Sequence, residues 1–183
     1  MNNDCVVFLL SGKAESGKDT VAKILRGSFG LEKPVILSFG AYVKDVATTL
    51  GWDGQKDEKG RALLQWLGDG VKQFNPDLWV NKTIIEMKRL HEENNVSIFI
   101  ISDCRYVNEI TRMKEEFGEM VFPIRIDRPN HKSQLTPEQL THKSECDLDN
   151  YPFQHIVHNG SNIGSLERNV FQMIKNLRYL YYI

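Results

Sequence analysis

Between Gly12 and Thr20 the chain reads Gly-Lys-Ala-Glu-Ser-Gly-Lys-Asp-Thr, with two glycines five residues apart and a lysine directly after the second. Glycines at that spacing let backbone N–H groups converge on phosphate oxygens, and a helix opening behind them adds its positive end. Lys18 would then reach the terminal phosphates of a nucleotide. A hydroxyl usually follows the lysine at once; here Asp19 intervenes and the hydroxyl comes at Thr20. A carboxylate at Asp19 suits the first turn of a helix through the helix dipole, and it equally suits a water of a bound Mg²⁺.

A second cluster, Ser102-Asp103-Cys104-Arg105, follows the apolar run Val96–Ile101. An aspartate at the end of a buried strand can serve the Mg²⁺ of a bound nucleotide, directly or through water. Arg105 offers a planar fork for phosphate. The plainer reading has Asp103 capping the next helix and Arg105 in solvent. Arg128, in Arg125-Ile-Asp-Arg-Pro, heads a polar stretch, and Arg61 opens a helical pattern from which it could clamp an acceptor phosphate or remain solvated. His142 in Thr-His-Lys-Ser-Glu could orient that polar stretch or be an ordinary surface histidine. Trp52, Trp66 and Trp79 could stack on a base, although tryptophans at helical spacing more often join the core. His155 and His158, three apart on a strand, face opposite sides and make no metal pair.

The elements that must position these groups alternate. Strand-like runs at Cys5–Leu10, Val35–Phe39, Val96–Ser102, Met120–Ile126 and Gln154–His158 are separated by helical patterns. These include Leu63-Trp66-Leu67-Val71-Phe74, Val107-Ile110-Met113-Phe117 with Gly118 as stop, and Ile163-Leu166-Val170-Ile174-Leu177-Tyr181. The alternation predicts an α/β fold, a five-stranded parallel sheet with helices on both faces, whose ligands bind beyond the carboxyl ends of the strands. Residues 44–95 hold about three helices and no strand, a helical insertion. Residues 128–152 are polar and strand-free, with a capped short helix at Thr136-Pro137-Glu138-Gln139. The expectation is one domain, with a core of residues 1–43, 96–127 and 153–183, an acceptor-binding region at 44–95 and a lid at 128–152.

With 183 residues, 41% hydrophobic and 26% charged, the chain has the composition of an ordinary globular domain. A net charge of −1 argues against nonspecific nucleic-acid binding. No apolar run reaches membrane-spanning length and no basic leader opens the chain. Cys5, Cys104 and Cys146 are scattered, without a Cys-x-x-Cys, which fits a reducing cytoplasm. Nothing in the residues specifies an oligomeric state.

The segments LSGKAESGKDT, LSFGAYVKDVA, SDCRYVNEI, RIDRP, THKSE and HNGS occur in the order found in phage deoxynucleoside monophosphate kinases. The sequence resembles that P-loop family, itself similar to phosphomevalonate kinase and, more distantly, to dephospho-CoA kinase. The resemblance implies the three-layer P-loop NTPase fold and ATP phosphates held by Gly12, Ala14, Glu15, Ser16, Gly17, Lys18, Asp19 and Thr20. It implies Mg²⁺ near Thr20 and Asp103, with Asp19 in its water shell. Arg105 would bind a transferring or acceptor phosphate, Lys44 and Asp45 would line the acceptor pocket, and Arg128 would be the lid arginine. Asn159 and Gly160 would contact adenine, although HNGSNIGSLE carries extra residues where the family has a tighter turn. The implied reaction moves the γ-phosphoryl of ATP to a (deoxy)nucleoside monophosphate, with Lys18, Asp103, Arg105 and Arg128 as its catalytic groups. Alternatives are a kinase of another phosphorylated metabolite, phosphomevalonate or a dephospho-CoA-like acceptor, and a regulatory nucleotide-binding ATPase. Against a guanine-binding switch, Asn81-Lys82-Thr83-Ile84 lacks the final aspartate of a guanine reader.

Overall fold

Strand β1 (Val6–Ser11) is buried at all six residues, which places it in the middle of the sheet. In the computed structural model, which describes residues 5–129, 131 and 133–181, its neighbours are β3 (Ile98–Cys104) and β4 (Val121–Asp127). β2 (Val35–Leu37) and β5 (His155–His158) form the edges, so the order is β2-β3-β1-β4-β5, and every pairing is parallel. Residues 1–4, 130, 132, 182 and 183, at the ends of the expected core and inside the expected lid, lie outside the described residues.

Alternation along the strands sends neighbouring side chains to opposite layers. Val6, Phe8 and Leu10 meet Val21 and Leu25 of α1 (Lys18–Gly27) and Leu166, Val170, Ile174 and Leu177 of α8 (Ile163–Tyr181). Val7 and Leu9 meet Val80, Ile84 and Met87 of α4 (Leu78–Asn94), with Ile110 and Met113 of α5 (Val107–Phe117). The expected three-layer α/β arrangement is therefore observed. A third cluster joins Val43 and Ala47 of α2 (Gly40–Thr49), Leu67 of α3 (Glu58–Phe74) and Trp79.

Boundaries moved where local chemistry intervened. β2 stops at Leu37, and Ser38 leads straight into α2, which starts inside the expected core segment. Gly118 ends α5 as expected, at φ 65°, but Met120 belongs to a 3-10 turn, and Gln154 precedes β5. On α3 the buried face is Gly60, Leu63, Leu64, Leu67 and Val71; Trp66 and Phe74, expected in the core stripe, are 70% and 91% exposed. Trp79 is buried as expected of a core tryptophan. Thr136 caps α6 (Pro137–Thr141) through Gln139 N–H, while α7 (Lys143–Cys146) was not anticipated. Among the described residues, no helix is long and apolar enough to cross a membrane.

Candidate functional site

The loop between β1 and α1 is shaped by left-handed backbone at Gly12 (φ 155°), Glu15 (φ 60°) and Gly17 (φ 98°). A Cβ at Gly17 would meet the Asn159 amide nitrogen at 2.5 Å, and one at Gly12 would meet Ser16 Oγ at 2.5 Å and Ile126 O at 2.6 Å. Both positions therefore require glycine on steric as well as conformational grounds. Lys18 lies across the loop, donating to Gly12 O at 2.7 Å and Lys13 O at 2.8 Å. Burial, then the nearby Arg105 charge, push its ammonium down to about 8. A lysine held in this way is primed to gain from an anion, because phosphate restores the charge that burial opposes.

Glu15 ties the loop to the following polar stretch. Arg128 Nη1 donates to Glu15 O at 2.9 Å, and the Glu15 carboxylate receives His131 Nε2 at 3.0 Å and Gln134 N–H at 3.3 Å. The His131 hydrogen bond is the main reason its carboxyl sits below the usual range. The Arg61 charge adds the smallest part of the same lowering, and its Nε is held by Lys56 O at 2.9 Å.

Asp103 is heavily engaged. Its Oδ1 accepts Phe39 N–H at 2.8 Å, and its Oδ2 accepts Gly40 N–H at 2.9 Å and Ser38 Oγ at 3.0 Å. It thus sits at the N-terminus of α2, a helix other than the one that follows it, and still influences Lys18. Arg105 is half-buried and tethered: Nη1 pairs with Glu145 Oε1 and reaches Ser144 O at 3.2 Å. Burial opposes its charge, but Glu145, Asp103 and Glu109 together outweigh burial and the guanidinium is held more firmly protonated.

Several functional candidates carry no chemical signature in the sequence: Glu109 and Tyr106 stand inside SDCRYVNEI, and Asp69 and Lys72 lie on α3 outside any motif. Glu109, fully buried, accepts Arg105 N–H at 2.8 Å and Tyr106 N–H at 3.1 Å, which fixes the backbone turn that aims Arg105. Burial raises its carboxyl above the usual range. Lys72 of α3 sits 3.4 Å from Glu109 and 3.0 Å from the centre of the Tyr106 ring. Asp69 of α3 accepts Tyr106 Oη at 3.2 Å and His142 at 2.8 Å. Because Ser144 N–H donates to His142 Nδ1, Nε2 is the nitrogen that donates to Asp69. His142, the α3 residues Asp69 and Lys72, and the Arg105 turn therefore meet in one polar network. Its trace on α3 is slight: Arg61, then no charged residue until Asp69 and Lys72.

Asn159 holds the loop from beneath, its amide donating to Ser16 O at 2.9 Å, and Gly160 beside it is exposed. Lys44 and Asp45 lie in a cleft of about 600 Å³ between β2, α2 and α4, shared with Ser38, Tyr42, Thr83, Glu86 and Ser102.

For Mg²⁺, the oxygens on offer are the exposed Thr20 and Asp19 at the start of α1 and the partly committed Asp103. Among the described residues, no group of three or more His, Cys, Asp or Glu forms a cation cage. That donor set fits a Mg²⁺ carried mainly by nucleotide phosphates with one or two protein oxygens. Ser16 Oγ, buried without a hydrogen-bond partner inside the loop, leaves polar capacity where phosphate oxygens would sit.

A family model described as phosphomevalonate kinase matches residues 10–119 of this chain. Among solved structures, dephospho-CoA kinase from Campylobacter jejuni superposes with a TM-score of 0.51 at 14% identity, covering 97% of this chain and 98% of that one. TT1252 from Thermus thermophilus gives 0.54 at 17% identity, covering 94% and 98%. At these identities the likeness is one of fold.

Proposed function

The chain belongs to the phosphomevalonate kinase family, and we propose that it transfers the γ-phosphoryl group of ATP to the phosphate of a (deoxy)nucleoside monophosphate. The observation that carries this reading is the convergence of Lys18, Arg105 and Arg128 on one glycine-shaped loop. An acceptor phosphate has a second pKa near 6 and is largely dianionic at neutral pH, so no general base is required. Its oxygen forms a new bond to the γ-phosphorus as the bond to the β-phosphate oxygen breaks, giving ADP and a nucleoside diphosphate. The loop amides and Lys18 hold the ATP phosphates, Arg105 neutralises charge on the transferring and acceptor phosphates, and Arg128 brings the lid down on the loop. Thr20, Asp19 and Asp103 would hold Mg²⁺, Asp103 through water; the ion supplies charge neutralisation on the phosphates when bound. Lid closure excludes water as a competing acceptor.

The acceptor's uncharged end is assigned to the cleft at Lys44 and Asp45. Asp45 balances the ammonium of Lys44 there, Glu86 is already paired with Arg89 at 2.7 and 2.9 Å, and Tyr42, Ser38, Thr83 and Ser102 add hydroxyls. Such a lining suits a hydrogen-bonding nucleoside better than a second anionic group. The family match itself favours a second reading, phosphomevalonate as acceptor, whose carboxylate would have to pair with Lys44. An ADP-release screen with Mg²⁺-ATP against ribo- and deoxynucleoside monophosphates, phosphomevalonate and dephospho-CoA separates the two. Turnover confined to phosphomevalonate would overturn the nucleotide reading, and ADP release without any acceptor would overturn both.

A further inference from the structure

One carboxylate in the site serves two partners that the reaction must keep together. Glu145, on the short helix α7, has a side chain only 5% exposed. Its Oε1 pairs with Arg105 Nη1, and its Oε2 accepts Ala14 N–H of the phosphate loop at 2.8 Å. The main chain around it adds to the grip: Ser144 O accepts the same Nη1, and Glu145 O accepts Lys13 Nζ at 2.6 Å. Asp149 then binds Lys13 at 2.5 Å and Arg125 at 3.1 Å, and Leu148 is buried against the α4–α5 layer. Residues 143–149 are therefore pinned to the core, whereas Arg128, His131 and Gln134 are held through Glu15.

We infer that Glu145 is a positioning residue that sets the Arg105 guanidinium at a fixed place beside the phosphate loop. This rests on the proposed role of Arg105 in binding phosphate. Nη1 is consumed by Glu145 and Ser144, whereas Nε and Nη2 are engaged by no described residue, so the free edge of the fork is the one left for a phosphate. Bridging requires two acceptor oxygens on one planar group. A glutamine has one acceptor, and turning it toward Ala14 N–H presents its NH₂ to a guanidinium. The negative charge matters as well, because Arg105 and Lys18 are close enough to repel each other and Glu145 offsets both.

The test is chemical rescue. In Arg105→Ala the space bounded by Glu145 and Ser144 O can accept free guanidinium, so millimolar guanidinium chloride should restore turnover several-fold. In Arg105→Ala/Glu145→Gln the same additive should restore nothing. Glu145→Gln alone should lower kcat at least tenfold while changing the ATP Kd, measured without acceptor, by less than threefold. Added to Arg105→Ala it should cause no further loss. Glu145→Asp, which keeps the charge but reaches only one partner, serves the same comparisons where the glutamine variant folds poorly. Equal rescue with and without Glu145, or additive losses, would overturn the inference. A Glu145→Gln enzyme with tighter ATP binding and undiminished kcat would also overturn it, marking the carboxylate as a plug that ATP must displace. Unchanged kinetics in Arg105→Ala would remove the phosphate role of Arg105 and this inference with it, whereas an impaired Arg105→Ala beside a normal Glu145→Gln removes the inference alone.

Discussion

Gly60 is the tightest packing point at the start of α3, and replacing it with alanine should loosen that helix measurably. It is the third residue of α3, and its N–H is the one that the Asp57 cap accepts at 2.7 Å. A Cβ there would lie 2.0 Å from Gln55 O, 2.8 Å from Trp52 Nε1 and 3.2 Å from Asp57 Oδ1. The Gln55 carbonyl must retreat by about 1.4 Å to reach ordinary contact, and it is itself the acceptor for Trp52 Nε1 at 2.9 Å. Alanine in a helix returns roughly 1 kcal/mol of propensity over glycine. Against that stand about 1 kcal/mol for the Trp52 hydrogen bond and about 2 kcal/mol for overpacking against backbone. The net is a destabilisation of about 2 kcal/mol, which in a protein of this size lowers Tm by roughly 4–8 °C. Because α3 carries Arg61, Asp69 and Lys72 to the site, the acceptor KM should rise several-fold while the ATP Kd holds. Thermal unfolding, Trp fluorescence and steady-state kinetics read these effects. A Tm that stays level or rises, as helix propensity alone would dictate, would refute the packing reasoning.

Thr20→Val keeps the shape of the loop but deletes a hard oxygen, so the Mg²⁺ concentration for half-maximal rate should rise and kcat fall; an unchanged Mg²⁺ titration removes Thr20 as a ligand. Lys18→Met should abolish turnover yet stabilise the nucleotide-free fold below pH 8, because a lysine lowered from 10.5 to about 8 opposes folding most where both states are charged. The wild-type deficit should shrink by roughly 3 kcal/mol as pH rises from 8 to 10.5, since the unfolded state binds more protons across that window; urea unfolding that shows a pH-independent difference would contradict it. Glu15→Ala removes the carboxylate that receives His131 and Gln134, so limited proteolysis between residues 128 and 142 should quicken several-fold and slow again when ATP and an acceptor analogue bind together. Equal cutting in all cases would argue against a lid.

The loop, the parallel sheet and the strand-end position of Asp103 were legible because each is written in contiguous residues: a spacing, an apolar run, a cap. What the site residues touch was not. Asp103 reads locally as a metal carboxylate or as a cap for the next helix; the helix start it receives is that of α2, some 64 residues earlier, and not the one that follows it. Asn159 reads as an adenine contact and supports Ser16 O, 143 residues away. On α3 the periodicity admitted Trp66 to the core stripe because a helix repeat tolerates a neighbouring position; packing chose Leu64, and only the network around Asp69 and Lys72 reveals which face serves the site. The larger omission has a single physical origin. A phosphate site is recognised in sequence by its cations, but cations gathered without their ligand repel one another and must be held by anions of the protein. Glu109 and Glu145 do that holding, both buried and both tied to Arg105, one through its backbone N–H and one through its guanidinium. In the sequence Glu109 stands inside SDCRYVNEI, at the third position of α5, and Glu145 closes Thr-His-Lys-Ser-Glu; what neither segment reveals is that both acids are tied to Arg105, four and forty positions away, because that pairing exists only once the fold brings them together.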